Sequence, residues 1–194
     1  CLNGFADDTL APAPPAEAVA ASQQSPVTDI LVVLDATSSM AYRTASENGA
    51  SRIDLARLVT SSVLDVAPDG IRLGVLTLRD DVSELRPLQP MSPADRTVIR
   101  RGVGKLFPFG DGDLVECFQR IIDKLDTKST PLVILVTDGS DYRAESANLA
   151  AKQLKDRFDG RMKFVLVGIC KAGEVADRLQ TLGTFAGGDS LSLT

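Results

Sequence analysis

The chain has 194 residues, of which 44% are hydrophobic and 24% charged, with a net charge of −5 and no histidine. That length suits one domain plus a tail, whose core can close without disulfides or metals. The missing His excludes His-based triads and His-ligated zinc, and cysteines at 1, 117 and 170 form no CxxC pair.

Residues 1–29 carry Asp7, Asp8, Glu17 and Asp29 and no cation, and the first cation in the chain is Arg43. Ala11 to Ala21 is almost wholly Ala and Pro, and Ser22 to Pro26 is polar. Pro12, Pro14 and Pro15 block a helix, and little here can anchor a core. Residues 1–28 are therefore expected to be a solvated linker, and 29–194 the folded domain. A chain that opens on Cys1 and runs into such a linker resembles a mature bacterial lipoprotein. That resemblance implies acylation of Cys1 and a cell-envelope address, at the outer membrane because Leu2 rather than Asp follows. The alternative is a soluble protein, cytoplasmic or secreted, whose first residue is arbitrary. No apolar run is long enough to span a bilayer.

From residue 30 onward strand and helix patterns alternate. Ile30 to Leu34 is an apolar run without alternation, as in a strand buried on both faces. Ser51 and Asp54 form a capping box that opens a helix to Val66, with Ile53, Ala56, Val59, Val63 and Val66 as its expected apolar stripe. Ile71 to Leu78 reads as a strand. Val82 to Leu88 reads as a polar edge strand stopped by Pro87 and Pro90. Ser92-Pro93 starts the next helix.

Leu114, Phe118, Ile121, Ile122 and Leu125 make the clearest helical face, with Asp113 as N-cap and Glu116 completing an expected capping box. A strand at 132–136, a helix at about 143–158 and a strand at 163–167 follow. A helix carrying Val175, Leu179 and Leu182 leads to a strand at 190–193. Such alternation implies right-handed crossovers and an α/β, doubly wound, mostly parallel sheet with one antiparallel edge strand. Cys117 and Cys170 fall on buried elements and read as packing residues, a disulfide between them being the alternative.

Ligands in such sheets bind beyond the carboxyl ends of the strands, where strand order reverses. Three loops there carry oxygen donors: Asp35-Ala36-Thr37-Ser38-Ser39-Met40, Phe109 to Asp113, and Thr137-Asp138-Gly139. Carboxylates and hydroxyls without imidazole or thiolate suit a hard cation, Mg²⁺ or Mn²⁺.

Asp35-x-Thr37-x-Ser39-Met40 after an apolar strand resembles the DxSxSM signature of von Willebrand factor A domains, with Thr37 in place of the first Ser. Asp138-Gly139 is similar to that family's second acidic corner. The resemblance implies a metal-ion-dependent adhesion site in which Thr37 and Ser39 coordinate the ion and Asp35 and Asp138 act directly or through water. It further implies a partner protein whose Asp or Glu completes the metal shell. The family's middle-loop Thr has no counterpart, since Gly112 stands at its position. Asp111 is the expected substitute ligand, because Asp113 is committed to capping.

Neither nucleic acid nor a small-molecule substrate is expected, the only basic cluster being Arg100-Arg101. Membrane contact is expected only through the lipid anchor. The protein is expected not to be an enzyme. A Mg²⁺-dependent phosphatase of the haloacid dehalogenase type would need a second Asp where Thr37 stands, and no Walker sequence is present. The other competing reading is a structural domain of this family with a metal-free site.

Overall fold

The computed structural model describes residues 26–44, 49–140, 142–170 and 173–193. Cys1 and most of the expected linker lie outside the described residues. Val27 packs against the core, and Thr28 donates its backbone N–H to the Thr130 carbonyl at 3.1 Å, so the folded part begins about two residues before the expected boundary.

Six strands form one sheet: β1 (Asp29–Asp35), β2 (Arg72–Leu78), β3 (Val82–Pro90), β4 (Pro131–Thr137), β5 (Lys163–Ile169) and β6 (Asp189–Leu193). Their order is β3-β2-β1-β4-β5-β6. All pairings are parallel except β2 with β3. Among the described residues five α-helices connect the strands, α2 and α3 following one another: α1 (Arg52–Val66), α2 (Pro93–Gly104), α3 (Leu114–Lys124), α4 (Ala144–Phe158) and α5 (Glu174–Phe185).

The reason for the unbroken apolar run in β1 is visible in the packing. Ile30, Val32 and Leu34 join one core cluster with residues of α1 and α2. Leu31 and Val33 join the opposite cluster with residues of α3, α4 and α5. Both faces are covered, so alternation between polar and apolar positions would leave polar groups in the core. Strand order reverses between β1 and β4, and their register pairs Leu34 with Val136. That pairing carries Asp35 and Thr137 side by side past the carboxyl edge of the sheet.

Three local expectations are corrected. The capping box of Ser51 and Asp54 forms, and Val59 and Val63 pack partly buried against the core, but the fully buried stripe of α1 is Ile53, Ala56, Thr60 and Leu64, while Val66 is exposed. Thr60 enters the core because its hydroxyl donates to the Ala56 carbonyl at 2.9 Å, satisfying the polar atom within its own helix. The edge strand β3 runs through Pro87 to Pro90, with register shifts opposite Val75. An edge strand tolerates proline because one side needs no ladder donor. Asp113 caps α3 by accepting from Val115 N–H at 2.7 Å, one residue earlier than a capping box with Glu116 requires. Cys117 and Cys170 are free and buried.

Candidate metal centre

Asp35 ends β1 and is buried, yet it has a full set of donors. Its Oδ1 accepts from the Thr37 backbone N–H at 2.9 Å and from the Thr37 hydroxyl at 2.7 Å. Its Oδ2 accepts from the Thr137 hydroxyl at 2.6 Å. Burial pushes the Asp35 carboxyl up to about 6, against the pull of the hydrogen bonds from Thr137 and Thr37, with the neighbouring Asp138 charge raising it further. Two residues beyond the strand, the chain enters a short 3-10 turn (Ser38–Ala41), and this places the Ser39 hydroxyl 3.1 Å from the Thr37 hydroxyl.

The second corner has its own logic. Gly139 takes φ +72°, which glycine adopts without steric cost, and its N–H donates to Thr137 Oγ1 at 3.0 Å. The Asp138 carboxylate is buried; its Oδ1 accepts from Ser140 N–H at 2.9 Å. Its Oδ2 accepts from the Arg52 guanidinium. Thr137 therefore links the corners, and Arg52 supplies a cation from the start of α1. The sequence alone marks Thr137 as one oxygen donor among several and gives Arg52 no role. A hydroxyl at the carboxyl end of a buried apolar strand was one available signal. The other was a cation in the first turn of a helix, where the dipole disfavours it.

The middle loop is held against the first corner by its backbone. Ser38 N–H donates to the Gly110 carbonyl at 2.9 Å, and Phe109 N–H to the Ala36 carbonyl at 3.0 Å. It brings no hydroxyl, and the reason is packing. A Cβ at Gly112 would lie 2.7 Å from Thr37 Cγ2 and 2.9 Å from Leu78 Cγ. The methyl that distinguishes Thr37 from Ser thus fills the space a side chain at 112 would need. Asp111 is exposed on this loop, and Asp113 is occupied as the α3 cap. Among the described residues no three acidic, Cys or His side chains gather as a metal cage. The carboxylates brought together are Asp35 and Asp138, with the Thr37 and Ser39 hydroxyls beside Asp35.

A model of the von Willebrand factor type A domain matches residues 29–190. The chain belongs to this family. Its members often mediate metal-dependent adhesion. Among curated proteins, none matches the sequence. Solved structures similar to this domain include BatB from Bacteroides thetaiotaomicron, with 15% identity, a TM-score of 0.68, and coverage of 86% of this chain and 90% of that one. An aerotolerance-related membrane protein from Bacteroides fragilis has 14% identity and a TM-score of 0.67, covering 86% and 92%. Proximal thread matrix protein 1 from the mussel byssus, described with a zinc-occupied MIDAS motif, has 20% identity and a TM-score of 0.63, covering 86% of this chain and 41% of that one. At these identities the likeness is one of fold. Among the described residues no helix is long and apolar enough to cross a membrane.

Proposed function

We propose that this domain holds one Mg²⁺ or Mn²⁺ at the carboxyl edge of its sheet and uses it to bind an acidic side chain of a partner protein. The observation that carries this reading is the 3.1 Å separation of the Thr37 and Ser39 hydroxyl oxygens beside the buried Asp35 and Asp138. Neighbouring ligands at about 2.1 Å from an octahedral ion are ~3.0 Å apart, so the two oxygens fit adjacent ligand positions. The Thr37 hydroxyl proton is directed into Asp35, so within the 3.1 Å pair Ser39 donates to Thr37, and each oxygen keeps a lone pair for a cation. All candidate donors are hard oxygens, which suits Mg²⁺ or Mn²⁺ over softer metals.

In this reading Thr37 and Ser39 are the direct ligands. Asp35 orients them through its hydrogen bonds, as groups behind a metal ligand commonly do, and itself contributes through water. Asp138 supplies the second negative charge. Asp111, exposed on the middle loop, is assigned a role through water. A bound cation supplies Lewis-acid attraction for a carboxylate at a position left open by the protein. The output is recognition rather than catalysis. Burial pushes the Cys117 thiol upward, and burial likewise raises that of Cys170, so neither side chain is the accessible thiolate a nucleophile requires.

The domain's first residues enter at the opposite edge of the sheet, where Thr28 meets Thr130. A seven-residue strand is about 20 Å long, so the metal face lies about that far from the residue where β1 begins. Calorimetric titration of the domain with Mg²⁺ tests the proposal: one site is expected in the wild type, and none in Asp35→Ala. Binding of equal strength in both would place the ion elsewhere.

A further inference from the structure

Arg52 is the residue that the metal reading leaves unexplained. It occupies the first position of α1, where the helix dipole works against a cation. Its guanidinium nonetheless turns inward onto Asp138 Oδ2. The same nitrogen lies 3.4 Å from the Ser39 carbonyl, so it bridges the acidic corner and the residue whose hydroxyl is a proposed ligand. On its outer side the guanidinium carbon lies 5.7 Å from the centre of the exposed Tyr42 ring, and the Arg52 backbone N–H donates to the Tyr42 carbonyl at 2.9 Å. The Asp138 side chain is wholly buried, whereas that of Arg52 is 24% exposed, so the guanidinium has a path to solvent and the carboxylate does not.

We infer that Arg52 is a built-in counter-ion of the site, holding Asp138 in the metal-free protein and leaving it when a divalent cation arrives. Apart from Arg52, the buried Asp138 carboxylate has the Ser140 N–H on Oδ1, and an Oδ2 left buried without a partner is strongly destabilising, so in the metal-free state the guanidinium fills the place that neutral hydroxyls fill at Asp35. A divalent ion seated on Thr37 and Ser39 repels a guanidinium bound at the same corner and takes over its neutralising role. Arg52 then moves outward along Tyr42. Metal affinity is consequently set by a competition, and the domain keeps its fold in either state.

This inference rests on the metal-binding reading, and one set of measurements separates the two. Wild type and Arg52→Met, which keeps an apolar stem without the charge, are titrated with Mn²⁺ after chelation, and each is melted with and without the ion. Arg52→Met is expected to bind Mn²⁺ about tenfold more tightly, to melt several degrees below wild type in chelator, and to gain more from Mn²⁺ than wild type does. Equal or weaker Mn²⁺ binding by the variant, with wild type binding normally, overturns the role of Arg52 and leaves the metal site standing. Failure of both proteins to bind Mn²⁺ overturns the metal reading and the competition together. If the variant does not fold, the Arg52 Nε–H signal of the wild type in a nitrogen-proton spectrum decides: a shift on adding Mg²⁺ supports displacement, and an unmoved signal with the metal bound contradicts it.

Discussion

Strand β1 carries a buried aspartate at each end, Asp29 and Asp35. Asp29, at the amino end, faces Arg72 of the adjacent strand at 3.2 Å, a neutralising ion pair next to the Thr28–Thr130 contact that closes the bottom of the sheet. Asp35, at the carboxyl end, is held by the backbone and hydroxyl of Thr37 and the hydroxyl of Thr137, all neutral donors. Its charge is solvated by dipoles and cancelled by nothing in direct contact. The same residue type, on the same strand and at the same depth, is thus ion-paired at one end and held by neutral donors at the other, where the proposal seats a cation. The difference lies in which neighbour the register supplies: β2 presents Arg72 opposite Asp29, while β4 presents Thr137 beside Asp35.

The sharpest way to break this comparison is to neutralise Asp35 while keeping its shape. Asp35→Asn is expected to lower Mg²⁺ affinity at least a hundredfold, about 2.8 kcal/mol, with a loss of unfolding free energy of about 1–2 kcal/mol, because the amide oxygen still accepts from one threonine while the amide NH₂ meets the donor of the other. Titration calorimetry and urea melts measure the two effects. A large loss of stability with intact binding would reverse the assignment.

Next in size is the packing at the site end. Gly112→Thr is expected to destabilise by about 2 kcal/mol, the usual cost of overpacking, since its Cβ would meet Thr37 Cγ2 and Leu78 Cγ. Adding Thr37→Ser should return part of that loss. Independent, additive effects in the double mutant would show that the two positions are not coupled.

At the other end of β1, Arg72→Met is expected to cost about 1–2 kcal/mol, since it leaves the buried Asp29 without its cation, the half-exposed Arg72 side chain lessening the effect. Mg²⁺ affinity should stay unchanged. An equal loss of metal binding would mean that the two ends are not separable.

The smallest effect concerns a carboxylate in direct contact with neither aspartate. Asp95, in the first turn of α2, is held down to about 2 by hydrogen bonds from the Ser92 side chain and backbone, and by Arg86. Because its folded value lies below the unfolded one, its contribution is present above about pH 4 and is lost as pH falls through 2. Ser92→Ala should flatten the stability profile in that window and nowhere else.

Much of this was legible in the residues. The period of the apolar positions and the caps Ser51-Asp54 and Ser92-Pro93 located the helices, and the run Ile30–Leu34 identified a two-faced strand. The DxTxS sequence placed the first corner because its spacing puts two hydroxyls on one short turn after a strand. Other features depended on tertiary neighbours. Thr60 is buried deeper than Val59, which packs at the margin of the core, and its hydroxyl can enter because it bonds within the helix. The absence of a middle-loop hydroxyl has its cause 75 residues away, in the methyl of Thr37. Arg52 on Asp138 joins residues 86 positions apart, which no local pattern announces.

The central claim is that the cation sits at the site end of β1, between the Thr37 and Ser39 hydroxyls. The direct test is a crystal of the domain grown with Mn²⁺ and measured for anomalous scattering. One strong peak is predicted within bonding distance of Thr37 Oγ1 and Ser39 Oγ, with Asp35 behind them. A peak away from both hydroxyls, or none at saturating Mn²⁺, would contradict the account.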